Sequence, residues 1–227
     1  MIKVEWLLDT ADLEKIGEAL RYYPVLGVTT NPTILKRAAP GDYFGHLKAL
    51  KALCGARSLH VQLGSEDAES MLREADVLWE KLGKDIFLKV PVTREGIRAI
   101  GLLKAKGANV TATAIYDPLQ GMLAMAAGAD WLAPYCNRME QYGIRFQDAV
   151  ARMRGLIDRD GYGARIVAAS FKNIGQVREA AASGAHAATL PPELFDSVFE
   201  LPLIGDSVAG FTRDWKEIAG NAFTALL

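Results

Sequence analysis

Short apolar runs alternate with longer amphipathic stretches along the chain. Runs of five or six residues rich in branched and aromatic side chains are typical of buried strands. Eight runs are predicted strands: residues 4–8, 24–28, 58–62, 86–90, 109–114, 130–135, 165–170 and 186–190. The stretches between them have apolar positions at helical spacing, and several begin with Ser, Thr or Asn and end with Gly. Thr93, for example, is the predicted start of the helix after the fourth strand.

Eight strands that are each followed by a helix predict a (β/α)8 barrel. The alternative is an open doubly wound sheet, which usually has a glycine-rich phosphate loop after its first strand. Here that position reads LLDTADLEKI and contains no glycine. We expect one domain over residues 1–227, because no linker or charge block interrupts the alternation. Residues 205–227 follow the eighth repeat and are predicted to form an extra C-terminal helix.

Composition and charge exclude several functions. Half of the 227 residues are hydrophobic and the net charge is −1, so no basic field is expected to hold nucleic acid or an anionic membrane. Two cysteines and three scattered histidines have no metal-ligand spacing, so we expect no metal. The chain has no signal-like start and no apolar run of about 18 residues, which favours a cytoplasmic protein.

Polar side chains recur at the carboxyl ends of the predicted strands, where a barrel has its active site. The candidates are Asp9, Asn31, Gln62, Lys89, Thr113, Tyr135, Arg138 and Ser170. Scattered surface polarity would not select the same structural position in nearly every βα unit. The set therefore predicts a site at this end of the barrel.

Most candidates also have an ordinary structural explanation. Asp9 could cap the following helix, and Asn31 precedes a proline as turn residues often do. Arg138 could be a solvated arginine, and Tyr135 could be an anchor with its hydroxyl in water. Thr113, like Ser170, is individually uninformative. His60 is expected to be a hydrogen-bonded core histidine and Cys136 a packing residue.

Lys89 is the least expected residue, because it interrupts the apolar strand IFLKV. An edge-strand lysine could extend its ammonium group into solvent. Alternatively, an apolar pocket could hold the amine in its neutral form, which is a nucleophile. The octapeptide IFLKVPVT by itself favours the first explanation, since buried lysines are rare.

Several motifs together resemble the transaldolase family, most closely its small microbial branch of fructose-6-phosphate aldolases. They are LLDTAD, GVTTNPTIL, LKVPVTREGIRAI, TATAIYDPLQG, LAPYCNRME and AASFKN, and they extend over essentially the whole chain. The resemblance implies a (β/α)8 barrel and a class I mechanism without metal or other cofactor. The lysine of the KVP motif, which forms a Schiff base with a ketone, falls on Lys89.

The resemblance also implies roles for the other candidates. Asp9 would handle the proton of the substrate's C4 hydroxyl. Asn31 and Thr113 would orient substrate hydroxyls and the catalytic water. Arg138 and Ser170 would bind the substrate's phosphate. The substrates would be a sugar phosphate, or dihydroxyacetone with an aldehyde.

Two positions bear on the choice between aldolase and transaldolase. In transaldolases they are typically glutamate and phenylalanine, whereas this chain has Gln62 and Tyr135, as in the aldolase branch. A phenol at this place can relay a proton to the enamine and release dihydroxyacetone. We therefore expect an aldolase, with transaldolase as the alternative. The run NRMEQYGIRF lacks the expected glycine-serine run, so a sulfonate could replace the phosphate.

Two other functional classes could use the same barrel, a phosphosugar isomerase and a sugar-binding protein. A phosphosugar isomerase would need a glutamate or histidine base at a strand end, and a sugar-binding barrel would not need a buried lysine. The C-terminal tail carries an apolar stripe at helical spacing, which could fold back on its own barrel. The stripe consists of Val208, Phe211, Trp215, Ile218, Ala219 and Phe223. In related aldolases this helix reaches a neighbouring subunit, so the resemblance implies a homo-oligomer, a decamer of two stacked pentamers.

Overall fold

Eight parallel strands form a closed barrel, in chain order around the ring, in the computed structural model, which describes residues 4–38 and 41–220. The strands are β1 (Glu5–Asp9), β2 (Val25–Thr29), β3 (Ser58–Gln62), β4 (Phe87–Pro91), β5 (Asn109–Ile115), β6 (Trp131–Pro134), β7 (Arg165–Ala168) and β8 (Ala187–Leu190). The prediction of a (β/α)8 barrel is confirmed. The last two residues predicted for the seventh strand lie beyond its end at Ala168.

Helices alternate with the strands, and the described residues form eleven of them. They are α1 (Leu13–Tyr22), α2 (Pro32–Ala38), α3 (Tyr43–Cys54), α4 (Ala68–Leu82), α5 (Arg94–Ala105), α6 (Pro118–Ala126), α7 (Cys136–Gln141), α8 (Phe146–Asp160), α9 (Ile174–Ala182), α10 (Pro192–Asp196) and α11 (Pro202–Ala219). The predicted start at Thr93 is confirmed, because its side chain accepts a hydrogen bond from the Gly96 backbone.

The interior of the barrel is filled by side chains at alternate strand positions. Below the site lies an apolar cluster that includes Leu7, Trp131, Val167 and Ala187, with Phe87 packed against it. The glycine of β2, Gly27, fits this crowding, since a Cβ built on it would lie 2.0 Å from Ser58 Oγ. Side chains therefore pack the interior below the polar ends of the strands.

The chain divides into two compact units between Pro192 and Glu193. In the second unit, α11 begins three residues earlier than predicted, at Pro202, and ends at Ala219. Residues 221–227 of the predicted extension lie outside the described residues. That residues 1–227 act as one domain stays a prediction. Within the described ranges, no helix is long and apolar enough to cross a membrane.

Candidate active site

Lys89 lies in the middle of β4 with its amine inside the barrel. The residue is only 3% exposed, and Nζ donates a 2.8 Å hydrogen bond to the backbone carbonyl of Thr30. Burial lowers the pKa of Lys89, and attraction to the Asp9 carboxylate opposes this effect. The edge-strand explanation is wrong, because a closed barrel has no edge and the amine does not reach solvent.

Asp9, at the end of β1, is the charged partner of the lysine. Its Oδ1 accepts a 2.7 Å hydrogen bond from Thr29 Oγ1 on β2. Burial raises the pKa of Asp9, while Lys89 and the Thr29 hydrogen bond both act to lower it. The cap of α1 is Asp12, whose side chain accepts from two backbone N–H groups of the first turn. The alternative that Asp9 caps this helix is therefore wrong.

Three more candidates lie on β3, on β5 and directly after β6. Gln62 is the register partner of Lys89 on the neighbouring strand, and its buried Oε1 has no hydrogen-bond partner among the described residues. Thr113 Oγ1 donates a 3.3 Å hydrogen bond to the hydroxyl oxygen of Tyr135. Burial raises the pKa of this phenol, which keeps it protonated and able to donate. The amide oxygen and the two hydroxyls are all groups that can form hydrogen bonds with a water molecule.

Arg138 and Ser170 lie on neighbouring segments. Arg138 is on α7, and its guanidinium lies 5.8 Å from the centre of the Tyr135 ring. The backbone N–H of Asn137 donates a 2.8 Å hydrogen bond to the Ser170 carbonyl, which ties the start of α7 to the segment after β7. Ser170 has a φ of 62°, a left-handed conformation that ends the alternation of the strand.

Asn31 has a structural task whatever else it does. Its Oδ1 accepts a 3.0 Å hydrogen bond from the backbone of Ile34 in the first turn of α2. This is the capping geometry of a helix start. The side-chain carbonyl of Asn31 therefore has the local structural role that the turn explanation expected. The NH₂ half can still donate to a substrate hydroxyl.

The remaining titratable groups of the barrel interior have structural partners. His60 lies against Thr111 Oγ1 at 2.9 Å and Ser58 Oγ at 3.1 Å, and burial lowers its pKa to about 3. The prediction of a hydrogen-bonded core histidine is confirmed. Cys136 is fully buried, with its pKa raised to about 12, as expected of a packing residue. Among residues 4–38 and 41–220, no three His, Cys, Asp or Glu side chains are grouped to hold a metal ion.

A closed barrel with a buried lysine on β4 and an aspartate at the end of β1 is the arrangement that the resemblance implied. The family model described as transaldolase/fructose-6-phosphate aldolase matches residues 6–223. The chain belongs to this family. It is therefore an enzyme of the aldolase and transaldolase class, and the isomerase and sugar-binding alternatives are set aside.

Relatives in the transaldolase/fructose-6-phosphate aldolase family have both activities in their names. A "probable fructose-6-phosphate aldolase" of Streptococcus pneumoniae is 45% identical over 96% of this chain and 99% of the relative. A "probable transaldolase 2" of Listeria monocytogenes is 34% identical over 94% and 96%. A "probable transaldolase" of Sulfurihydrogenibium sp. is 30% identical over 97% and 100%.

Three threonines of this family member contribute to the site without having been predicted from the sequence. The Thr29 hydroxyl donates a hydrogen bond to Asp9, and the Thr30 carbonyl accepts a hydrogen bond from Lys89. Thr189 on β8 lies 2.7 Å from the Thr29 hydroxyl. The TTNP motif could have indicated the first two, because it places them beside Asn31. Thr189 lies in an apolar strand, HAATL, where a buried threonine gives no signal of its own.

Proposed function

We propose that this chain is a class I aldolase that cleaves or forms the C3–C4 bond of a ketose phosphate such as fructose 6-phosphate. The products of cleavage are dihydroxyacetone and an aldehyde such as glyceraldehyde 3-phosphate. The observation that carries the proposal is the 3% exposed Lys89 amine with its lowered pKa beside the Asp9 carboxylate. The relative from Streptococcus pneumoniae, named for this activity, supports it.

The reaction begins at the lysine. Neutral Lys89 attacks the C2 carbonyl of the ketose, and loss of water gives an iminium ion. Asp9 then takes the proton of the C4 hydroxyl, the C3–C4 bond breaks, and its electron pair moves into the iminium to give an enamine. The aldehyde leaves. Protonation of the enamine at C3 and hydrolysis of the resulting iminium release dihydroxyacetone and restore the amine.

The other predicted residues hold either a water molecule or the substrate, including its phosphate. Gln62, Thr113 and Tyr135 hold a water molecule that carries the phenol proton to the enamine carbon. The Asn31 amide donates to a substrate hydroxyl. Arg138 and the Ser170 hydroxyl bind the phosphate, a task that suits a forked guanidinium. A sulfonate has a similar charge and shape, so it is the second anion that we propose for this end.

Transaldolase activity is the second candidate, because two relatives at 30% and 34% identity have that name. The difference lies in the fate of the enamine. An aldolase protonates it and releases dihydroxyacetone, whereas a transaldolase holds it for a second aldehyde. The half-buried Tyr135 hydroxyl beside Thr113 supplies the proton and favours the aldolase.

Replacing Tyr135 with phenylalanine separates the two activities. The wild-type protein should release free dihydroxyacetone from fructose 6-phosphate without an acceptor aldehyde. Tyr135→Phe should lower this release by about 10²-fold, the size of a general-acid contribution, and should lower transfer to erythrose 4-phosphate much less. Gln62→Glu combined with Tyr135→Phe should move the ratio further toward transfer.

The matched control is Tyr116→Phe, because the Tyr116 ring packs edge-on against Tyr135 at 5.8 Å. It should leave the ratio of release to transfer unchanged. Equal loss of both activities in Tyr135→Phe would show that the phenol is structural.

We also propose a homo-oligomer, a decamer of two stacked pentamers, in which α11 is covered by a second copy of the chain. None of the described residues of α11 is buried, and Phe211 and Ile218 are 72% and 86% exposed on one helix face. Such a stripe left in water favours association. Phe223, part of the predicted stripe, lies outside the described residues.

A cytoplasmic location stays a prediction, which cell fractionation tests.

A charge on the apolar face of α11 should break the oligomer. Phe211→Glu should reduce the mass measured by light scattering to a small multiple of the 24.6 kDa subunit, because the carboxylate would have to be buried unpaired. Arg213→Glu, on the opposite face of the helix, is the control and should keep the wild-type mass. A Phe211→Glu protein of wild-type mass would contradict the assignment of this face.

A further inference from the structure

Two threonine hydroxyls form a chain that ends on the Asp9 carboxylate. Thr29 Oγ1 lies 2.7 Å from Asp9 Oδ1 and 2.7 Å from Thr189 Oγ1. Both threonines are 2% exposed. The three groups come from three neighbouring strands, because β1 pairs with β2 on one side and with β8 on the other. The proposed mechanism uses neither threonine.

When Asp9 is ionised, the chemistry of a hydroxyl determines which group donates in each of these two hydrogen bonds. A hydroxyl has one hydrogen to donate, and a carboxylate can only accept. Thr29 therefore donates to Asp9, and Thr189 donates to Thr29. Hydrogen bonds that point the same way polarise one another, so Thr189 strengthens the bond that Thr29 makes.

These two linked hydrogen bonds restrain the Asp9 carboxylate in two ways. The bond to Oδ1 limits rotation about Cβ–Cγ and so holds the second oxygen in one place. The bond also stabilises the ionised form, which is the form that can accept a proton. We propose that Thr189, acting through Thr29, is a positioning residue for the Asp9 carboxylate. The catalytic meaning of this inference rests on the proposed function of Asp9 as the base for the C4 hydroxyl.

The surroundings of Asp9 determine what the loss of the chain would do. Lys89 on β4 lowers the pKa of Asp9 by charge attraction. The Asp9 charge in turn raises the pKa of the Tyr135 phenol, which follows β6. Burial raises the pKa of Asp9, and the Thr29 hydrogen bond opposes burial. Removing either hydroxyl should therefore raise the pKa of Asp9 further.

The test is a ¹³C NMR titration of the side-chain carboxyl carbons, in which Asp9 is identified by the resonance missing from Asp9→Asn. Thr29→Val should raise the Asp9 pKa by about one unit and Thr189→Val by about half a unit, as expected for a direct and an indirect hydrogen bond to a charge. Thr189→Ser keeps the hydroxyl and should keep the wild-type value. Thr189→Ala replaces the valine variant if that does not fold.

The double variant tests whether Thr189 acts through Thr29. Thr29→Val with Thr189→Val should have the pKa of Thr29→Val alone, because the chain is already broken. The matched control is Thr111→Val, which removes another fully buried hydroxyl, bonded to His60. It should lower stability without moving the Asp9 pKa. An unmoved pKa in Thr189→Val, or shifts that add in the double variant, would overturn the proposal.

Activity provides a second, separable measurement. The acid limb of the pH profile of kcat for cleavage should move upward with the Asp9 pKa, while borohydride trapping of dihydroxyacetone on Lys89 stays at the wild-type level. A moved pKa with an unmoved limb would overturn the catalytic part of the inference. The titration needs no turnover, so a wild-type protein without aldol activity would defeat the proposed function while the NMR result still decides the positioning of Asp9.

Discussion

Lys89→Met should eliminate both turnover and covalent trapping. Borohydride reduces an iminium to a stable amine, so the wild-type protein incubated with dihydroxyacetone should gain a mass on the peptide that contains IFLKVPV. Without the amine no iminium forms, and we expect kcat to fall on the order of 10⁴-fold or more. Methionine is a suitable replacement because it is similar in length and apolar in a buried position. Peptide mass spectrometry and a coupled assay measure the two effects.

The control for Lys89→Met is Lys48→Met, which removes an exposed lysine of α3. It should leave trapping and turnover at wild-type levels. Circular dichroism should show that both variants keep the fold. A covalent adduct located on Lys104 or Lys172 in the wild-type protein would contradict the assignment of the Schiff base to Lys89.

Asp9→Asn should separate Schiff-base formation from carbon–carbon cleavage. The amide has the shape of the carboxylate but cannot take the C4 hydroxyl proton, so kcat for cleavage should fall by about 10²–10⁴-fold. Trapping of dihydroxyacetone at neutral pH should not fall. The Asp9 charge opposes the lowering of the Lys89 pKa, and its removal leaves the amine more fully neutral.

The pH profile follows from the same charges. In the proposed mechanism Asp9 must be ionised and Lys89 must be neutral, so we expect the rate of cleavage to rise with pH through both pKa values. The Asp9 pKa is raised by burial, and the acid limb of the wild-type enzyme therefore lies above the ordinary range of an aspartate. In Asp9→Asn the residual cleavage should lose the limb that belongs to the carboxyl group.

Asp12→Asn is the matched control for Asp9→Asn. Asp12 lies three residues further along the chain and caps α1. Asparagine caps a helix about as well as aspartate, so stability and cleavage should both stay close to the wild-type values. If Asp9→Asn and Asp12→Asn were equally active, Asp9 would not be the base.

The strands and the ring of strand-end residues could be predicted because they follow from periodicity. Asp9, Gln62 and Thr113 occupy strand positions of the same alternation, so finding the strands places their side chains. Lys89 was different. Its surroundings are an apolar strand whether it is buried or at an edge, and only closure of the barrel decides between the two.

Other parts of the site could not be read from the sequence because they depend on groups without a pattern. The partner of Lys89 is a backbone carbonyl, that of Thr30, and every residue has one. Ser170 has a left-handed backbone, which the alternation of β7 does not indicate. Thr189 meets Thr29 only because the first and last strands close the ring.

The packing of side chains below the site has a kinetic consequence. Leu7, Trp131 and Phe87 pack in the interior below the site. The interior of such a barrel is a packed core and not a pore, so the site opens at the mouth formed by the carboxyl ends of the strands. In the proposed reaction the ketone fragment is bonded to Lys89 at the inner end, and the aldehyde lies between it and the mouth. We therefore expect the two products to leave in a fixed sequence, aldehyde first and ketone second. In synthesis we expect the ketone to bind first, because an aldehyde bound first would lie between it and Lys89.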